Sequence, residues 1–447
     1  MKISLKEKNK KGIALWNRAK EVIPGGSQLL SKRAEMYLPD LWPAYAKKAK
    51  GCEVWDMDGN KYVDMTFMGI GTGILGYADS DVNRAVKRAI DDGSMTTLNS
   101  PEEVELAELL VKLHSWTHNR GMVRFTRSGG EAMAVAIRIA RAASGKERVA
   151  FCGYHGWSDW YLAANIAEKK ALDGHLLPGL EPKGVPRGLR GTMLPFSYNR
   201  IDELKRLVKK HKDIGVIVVE TVRHEEPKDD FLKKVRVIAN NIGAVLVFDE
   251  ITVGWRLCVG GAHLVYGINP DIAVYAKAMS NGFPVGAVVG RHEVMQAAQE
   301  TFISSTYWTE RVGFVASLAT IKKLQAKKVF QHLKKIGDMI GEGWWRLAKK
   351  HGIDLKVLGP ESLVTFSLNY GNDNLAVRTL FVQEMLRRGF LAKDSVYVSY
   401  AHKEHHVRAY LSAVDEAFAL IKKAIDAKAV YKLLEGPVAH GGFKRLT

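Results

Sequence analysis

The chain has 447 residues, 47 % of them hydrophobic, which is enough to bury a large core and, by length, suggests two or three domains. Its three cysteines, Cys52, Cys152 and Cys258, are too few and too scattered for a disulfide framework or a zinc site, and they fit a reducing cytoplasm. The formal charge is +18, from 66 Lys and Arg against 48 Asp and Glu, but the basic residues are dispersed and form no nucleic-acid-binding module, so neither nucleic acid nor membrane is expected as a partner. The residual positive potential suits an anionic small molecule. The segment Met1 to Lys11 is charged, with no apolar stretch behind it, so it does not read as a secretory signal, and no apolar run is long enough to span a bilayer.

In chain order, the spacing of apolar residues predicts a helix over Lys10 to Val22, followed by a small hairpin in Gly51 to Asp64. Apolar runs then predict strands at Val123 to Thr126, Arg148 to Phe151, Val216 to Glu220, Val245 to Asp249 and Ile272 to Ala276. Between the first two lies the turn Ser128-Gly129-Gly130, leading into a helix through Met133 to Ala143. The insert His175 to Ser197 carries Pro178, Pro182, Pro186 and Pro195 and is too irregular to assign. Helices at Phe330 to Lys350 and Asn374 to Arg388 flank a strand at Leu363 to Leu368. These elements imply an α/β fold in three parts: residues 1–62, a large domain over 63–324, and a small α/β domain over 325–447. Strands that are apolar throughout point to a mostly parallel sheet covered on both faces, with any ligand at the carboxyl ends.

Four features at those carboxyl ends carry chemistry. Lys277 follows an apolar strand, and a buried ammonium is costly unless paired or neutralised; the amine is then a candidate nucleophile, the plain alternative being a lysine that snorkels to water. Asp249 ends another apolar strand, where a carboxylate can partner a pyridine nitrogen or act as an ordinary cap. Ser128, Gly129 and Gly130 open a helix, and its N–H groups with the Ser128 hydroxyl suit a phosphate, although a Gly-Gly turn before a helix is common. Tyr154, in Cys152-Gly-Tyr-His155-Gly156-Trp157, can stack on a flat ring or serve as a core aromatic. The group His402-Lys-Glu-His405-His406 fits no His-Glu-x-x-His pattern and reads as a helix start rather than a metal site.

Phosphate turn, aromatic, aspartate and lysine, in that order, resemble the fold-type I pyridoxal-phosphate enzymes, specifically the class III aminotransferases, and within them the glutamate-1-semialdehyde aminomutase-like subgroup. Ser128 to Ala132 is similar to that family's Ser-Gly-Thr-Glu-Ala, Tyr154-His155-Gly156 to its Tyr-His-Gly, and Asp249-Glu250 with Gly254 and Arg256 to its Asp-Glu-x-x-x-Gly-x-Arg. Val218-Val219-Glu220 resembles the strand whose Glu lies near the cofactor, and Ser305-Thr306 falls at the family's Gly-Thr. The resemblance implies a seven-stranded-type sheet and a pyridoxal 5'-phosphate cofactor. It assigns Lys277 as the Schiff-base lysine, Asp249 as partner of the ring nitrogen, Tyr154 as the stacking ring, and Ser128, Gly129, Gly130 and Thr252 to cofactor binding. His155 and Glu220 organise these groups, and Thr306 reaches the phosphate across a homodimer interface. The implied reaction moves an amino group from an amino-acid donor, such as glutamate, to an aldehyde or ketone acceptor. Trp157, Trp160, Tyr307 and Trp308 suggest an oxo-sugar, or else dimer packing. A 2,1-aminomutase is the alternative, and a non-catalytic basic binding protein on the same fold is a third. Departures are Gly130 for Thr, Thr221 for a common Pro, Val253 for a common Thr, and Met68 to Gly73 in place of a Gly-Ser-Trp-Gly segment.

Overall fold

The structure is a computed structural model that describes residues 4–446 other than 119, 176, 177, 223 and 445. Contacts divide the chain into two compact units, one made of residues 1–79 with 331–447 and the other of residues 80–330. Residues 1–62 and 331–447, expected in separate terminal parts, therefore share a unit, which residues 63–79 join, while residues 325–330 fall in the other. The first three residues of the charged N-terminal stretch, and two residues of the irregular insert, lie outside the described residues.

In the first unit, β1 (Ala46–Lys50), β2 (Glu53–Asp56) and β3 (Lys61–Met65) form an antiparallel run in which β2 and β3 fall on the segment Gly51 to Asp64 where the hairpin was expected. In the second unit the strands are β4 (Met122–Thr126), β5 (Arg148–Cys152), β6 (Met193–Pro195), β7 (Ile214–Glu220), β8 (Val245–Asp249), β9 (Ile272–Tyr275) and β10 (Gly286–Gly290). The remainder of the chain adds β11 (Leu355–Leu358), β12 (Leu363–Leu368), β13 (Phe390–Ala392) and β14 (Ser395–Tyr397) to the first unit. Strand β13 pairs in parallel with β3, Phe390 opposite Val63, which ties the two ends of the chain together. Trp16 and Tyr62 accordingly share a core with Val382 and Leu386. The expected helices are present at Lys10–Val22, Val329–His351 and Asn374–Arg387, and another begins at Glu404, where the histidine group falls.

The large sheet has the order β4-β10-β9-β8-β7-β5-β6, with β10 the one strand that runs against its neighbours. Its strands look uniformly apolar because each residue enters one of two cores by parity. Val245 and Val247 of β8, with Val216 and Val218 of β7, pack under the helix Gly129–Ser144. Leu246, Phe248, Ile217 and Val219 face the helix Phe231–Ile242 on the other side. Parity therefore decides which face each strand end presents: Glu220 and Asp249 follow Val218 and Val247 onto the first face, whereas Glu250 takes the second.

Glu250 is fully buried, and its carboxylate accepts from His263 Nδ1 at 2.9 Å, Ala262 N at 2.8 Å and Thr221 Oγ1 at 2.7 Å. Burial alone opposes its ionisation, but these hydrogen bonds outweigh it and hold the carboxyl below the usual range. A lowered carboxyl pKa stabilises the fold above its unfolded value of about 4.3 and stops doing so as pH falls through the folded value. Replacing Glu250 with Gln should therefore cost about 3 kcal/mol at neutral pH, with the difference from wild type shrinking below about pH 4. Thermal melts across pH test this, and a melting difference that grows toward acid would contradict it.

Candidate functional site

All the residues expected to carry the chemistry are in the second unit, at the carboxyl ends of β4, β5, β7, β8 and β9 and in the segment before residue 311. Asp249 closes β8 and is 4 % exposed. Its Oδ1 accepts from Ile251 N at 3.0 Å and its Oδ2 lies 2.8 Å from His155 Nδ1. The other ring nitrogen, His155 Nε2, is 3.2 Å from the Cys152 carbonyl, which can only accept, so Nε2 bears a proton. Burial raises the Asp249 pKa, the hydrogen bond from His155 opposes that rise, and the neighbouring Glu220 charge adds to it.

Glu220 ends β7 directly opposite Asp249 in the parallel register. Its Oε2 accepts from Tyr154 N at 2.9 Å, and a Cβ on Gly153 would come within 2.7 Å of that oxygen, so the loop after β5 sits flat against it. Tyr154 is half-buried and meets Tyr161 edge to face, with centroids 5.8 Å apart. Tyr161 in turn donates to the Gly153 carbonyl at 3.0 Å. His155 and Glu220 therefore set the position of the loop that presents the Tyr154 ring.

Lys277 follows β9 and donates from Nζ to Thr252 Oγ1 at 2.8 Å. Its backbone is left-handed, with φ of +46°, which costs a non-glycine residue about 1–2 kcal/mol and persists only where the surroundings hold it. The preceding Tyr275 supplies part of that hold. It is fully buried and donates to His114 Nε2 at 2.7 Å, while His114 Nδ1 donates to the Leu110 carbonyl at 2.6 Å. Burial lowers the His114 pKa to about 4, so its Nε2 stays available as an acceptor.

The turn after β4 departs from expectation in one respect. The Ser128 hydroxyl caps the helix Gly129–Ser144, accepting from Glu131 N at 3.3 Å, and the Glu131 carboxylate accepts from Ser128 N at 2.8 Å and Arg127 N at 3.0 Å. This reciprocal capping box commits the hydroxyl to the helix itself. Gly129 and Gly130 leave no room for a side chain: a Cβ on Gly129 would lie 3.0 Å from Ile251 Cδ1, and one on Gly130 would lie 2.8 Å from Trp157 Nε1. Thr306 opens a short 3-10 helix, Thr306–Thr309, and is exposed. Arg127 anchors that helix through the carbonyls of Tyr307 and Glu310 and through an ion pair to Glu310 at 3.7 Å.

Three residues of this arrangement carry no sequence signal of their own. Ile251 stands between Gly129 and the Asp249 carboxylate, Tyr275 and His114 brace the lysine, and none differs in type from ordinary core residues. The position of Ile251, two places after a strand-end aspartate, is the clue that was available. Trp160, expected among aromatics open to a substrate, is buried against His155 and Tyr161 and is not available for stacking. Trp157 and Tyr307 are exposed and Trp308 is half-buried.

The site suits a flat, phosphorylated heterocycle. It has a buried carboxyl, an amine, an aromatic ring and a helix N-terminus without Cβ atoms at its first two positions. Comparison with known proteins agrees. Residues 39–379 match the family model of the class III aminotransferases. The 3-aminobutyryl-CoA aminotransferase of Cloacimonas acidaminovorans is 29 % identical over 93 % of this chain and 98 % of its own. The glutamate-1-semialdehyde 2,1-aminomutase of Acetivibrio thermocellus is 32 % identical over 91 % of this chain and 97 % of its own. A solved transaminase with PLP bound superposes with a TM-score of 0.82 at 25 % identity, covering 93 % of this chain and 98 % of that one.

The His155 contact yields a pH-dependent expectation. In His155→Phe the Asp249 carboxyl loses its partner and its pKa climbs further, so ionisation opposes folding increasingly as pH rises above about 4. The variant should lose about 3 kcal/mol of stability at pH 8 and much less at pH 4. Denaturant titrations of the cofactor-free protein at both values measure this, and an equal loss at the two would refute the coupling.

Proposed function

The chain belongs to the class III aminotransferases, which use pyridoxal phosphate, and from that premise we propose that it moves an amino group from an amino-acid donor, glutamate or a similar acid, to an aldehyde or ketone acceptor. The observation that carries this reading is the Lys277 amine at the end of β9, held on Thr252, beside the strand that ends in buried Asp249. When bound, the cofactor supplies an electron sink that stabilises negative charge at the substrate carbon bearing the amino group.

The side chains divide the remaining work. Lys277 Nζ holds the cofactor at rest and, once released, takes the proton from the substrate carbon and returns it. Thr252 Oγ1 accepts from that amine and keeps it aimed. Asp249 keeps a proton on the ring nitrogen, His155 holds the carboxyl in place, and Tyr154 covers the ring. The N–H groups of Gly129 and Gly130 at the helix start would receive the phosphate, the Ser128 hydroxyl being held by the capping box.

The working assembly we propose is a homodimer in the cytoplasm, with Thr306 reaching a phosphate across the interface. Exposed apolar side chains such as Phe302 and Leu98, 85 % and 81 % exposed, are available to such an interface. The three cysteines are free. The acceptor we propose is an oxo-sugar of amino-sugar chemistry; the exposed rings of Trp157 and Tyr307 support it, as does the positive charge, which draws anionic substrates. A 2,1-aminomutase is the second reading, favoured by relatives of that name and opposed by the Met68 to Gly73 stretch, which lacks that subgroup's Gly-Ser-Trp-Gly segment.

Single-turnover half-reactions separate these. The cofactor-loaded protein mixed with glutamate should bleach in the visible and release one equivalent of the 2-oxo acid per site. Adding an oxo-sugar should then restore the colour. Isomerisation of one substrate with no released oxo acid would replace the transaminase reading with the aminomutase one.

A further inference from the structure

We propose that the indole N–H of Trp157 is a phosphate donor of the cofactor site, standing where the side chain of residue 130 is missing. The proposal rests on the cofactor reading above and gives the indole nitrogen of Trp157 a role toward the phosphate, distinct from the stacking role of its ring.

Two side chains at the phosphate turn would ordinarily supply hydroxyl donors, and neither does so here. Ser128 Oγ accepts from Glu131 N and lies 3.2 Å from Glu131 Oε2, which takes its proton, so the hydroxyl is spent within the capping box. Position 130 is glycine. At this turn a phosphate bearing close to two negative charges would then be met by backbone N–H groups alone, with a carboxylate at the third helical position.

Trp157 fills that gap with the correct edge of its ring. An ideal Cβ on Gly130 would be 2.8 Å from Nε1, 3.1 Å from Cδ1 and 3.7 Å from Cε2, so the N–H edge, rather than the benzene edge, faces the turn. Indole nitrogen is a donor only, which suits an anion and cannot be satisfied by another donor. The approach is enforced by the loop. Gly156 has φ of +103°, and a Cβ on it would sit 3.2 Å from Gly130 Cα, so two glycines let the loop after β5 touch the helix start. The indole as a whole is 70 % exposed, so hydrophobic burial does not account for its placement. The same short loop thus presents Tyr154 to the ring and Trp157 to the phosphate.

The geometry also fixes the sign of a double substitution. Any side chain at position 130 collides with Nε1 while Trp157 is present, yet becomes acceptable once the indole is removed.

The test is equilibrium binding of pyridoxal phosphate and of pyridoxal, which lacks the phosphate, to the full chain, followed by absorbance and by quenching of protein fluorescence. Trp157→Phe keeps an aromatic ring and removes the N–H. It should weaken pyridoxal phosphate by about ten-fold or more, as expected for a lost hydrogen bond to a charged group, and leave pyridoxal unchanged. Gly130→Ser should weaken pyridoxal phosphate in the wild-type background and strengthen it in the Trp157→Ala background. Equal affinity of wild type and Trp157→Phe for pyridoxal phosphate would overturn the proposal, as would an equal loss for both ligands. A wild-type protein that binds neither ligand would overturn the cofactor reading and this proposal with it.

Discussion

A carboxyl group buried at the end of a sheet strand costs several kcal/mol unless partners offset it, and the neighbourhood of Asp249 is arranged around that requirement. One oxygen takes a backbone N–H from Ile251, the other faces His155, and His155 is fixed from behind by the Cys152 carbonyl. Because His155 is bound to both, the loop after β5 cannot drift, and Tyr154 and Trp157 inherit their positions from it. Glu220, opposite Asp249 in the register, clamps the same loop through Tyr154 N. Asp249 and the loop that carries Tyr154 are therefore one mechanical unit.

The lysine depends on a separate brace. Tyr275 and His114 pin the end of β9 from the opposite core, and the strained backbone of Lys277 begins only two residues later. Strand parity is what lets the two braces coexist. Alternate residues of β8 serve the site through Asp249 and the fold through Glu250, whose hydrogen bonds to His263 and Thr221 close the loop behind it. Adjacent acids in the sequence thus stand in opposite environments, burial raising the pKa of Asp249 and hydrogen bonds lowering that of Glu250.

Strands β7, β8 and β9 were legible in the sequence because each is an uninterrupted apolar run that reaches a polar residue, β7 at Glu220, β8 at Asp249 and β9 just before Lys277. The helix after Ser128 was legible for the same reason at a different period. Strand β10 was not, since Gly286-Ala-Val-Val-Gly290 is short and bounded by glycines, and its antiparallel placement between β4 and β9 is decided by tertiary pairing. Strand β6 was hidden in a proline-rich insert, where Pro195 can sit because β6 is the edge of the sheet. The grouping of the two chain ends into one unit was likewise invisible, because the strand pairs between β3 and β13 and the core shared by Tyr62 with Val382 and Leu386 join residues about three hundred positions apart. Among site residues, reactive groups announced themselves, whereas Ile251, His114 and Tyr275 did not, because their contribution is shape and support.

The central claim is that Lys277 is the amine that binds the cofactor, and borohydride reduction of the pyridoxal-phosphate-loaded protein followed by peptide mass mapping tests it most directly. The account predicts one stable phosphopyridoxyl group per chain, on the peptide containing Lys277, and none at that position in Lys277→Ala. A reduced adduct spread over surface lysines, with the Lys277 peptide unmodified, would contradict it.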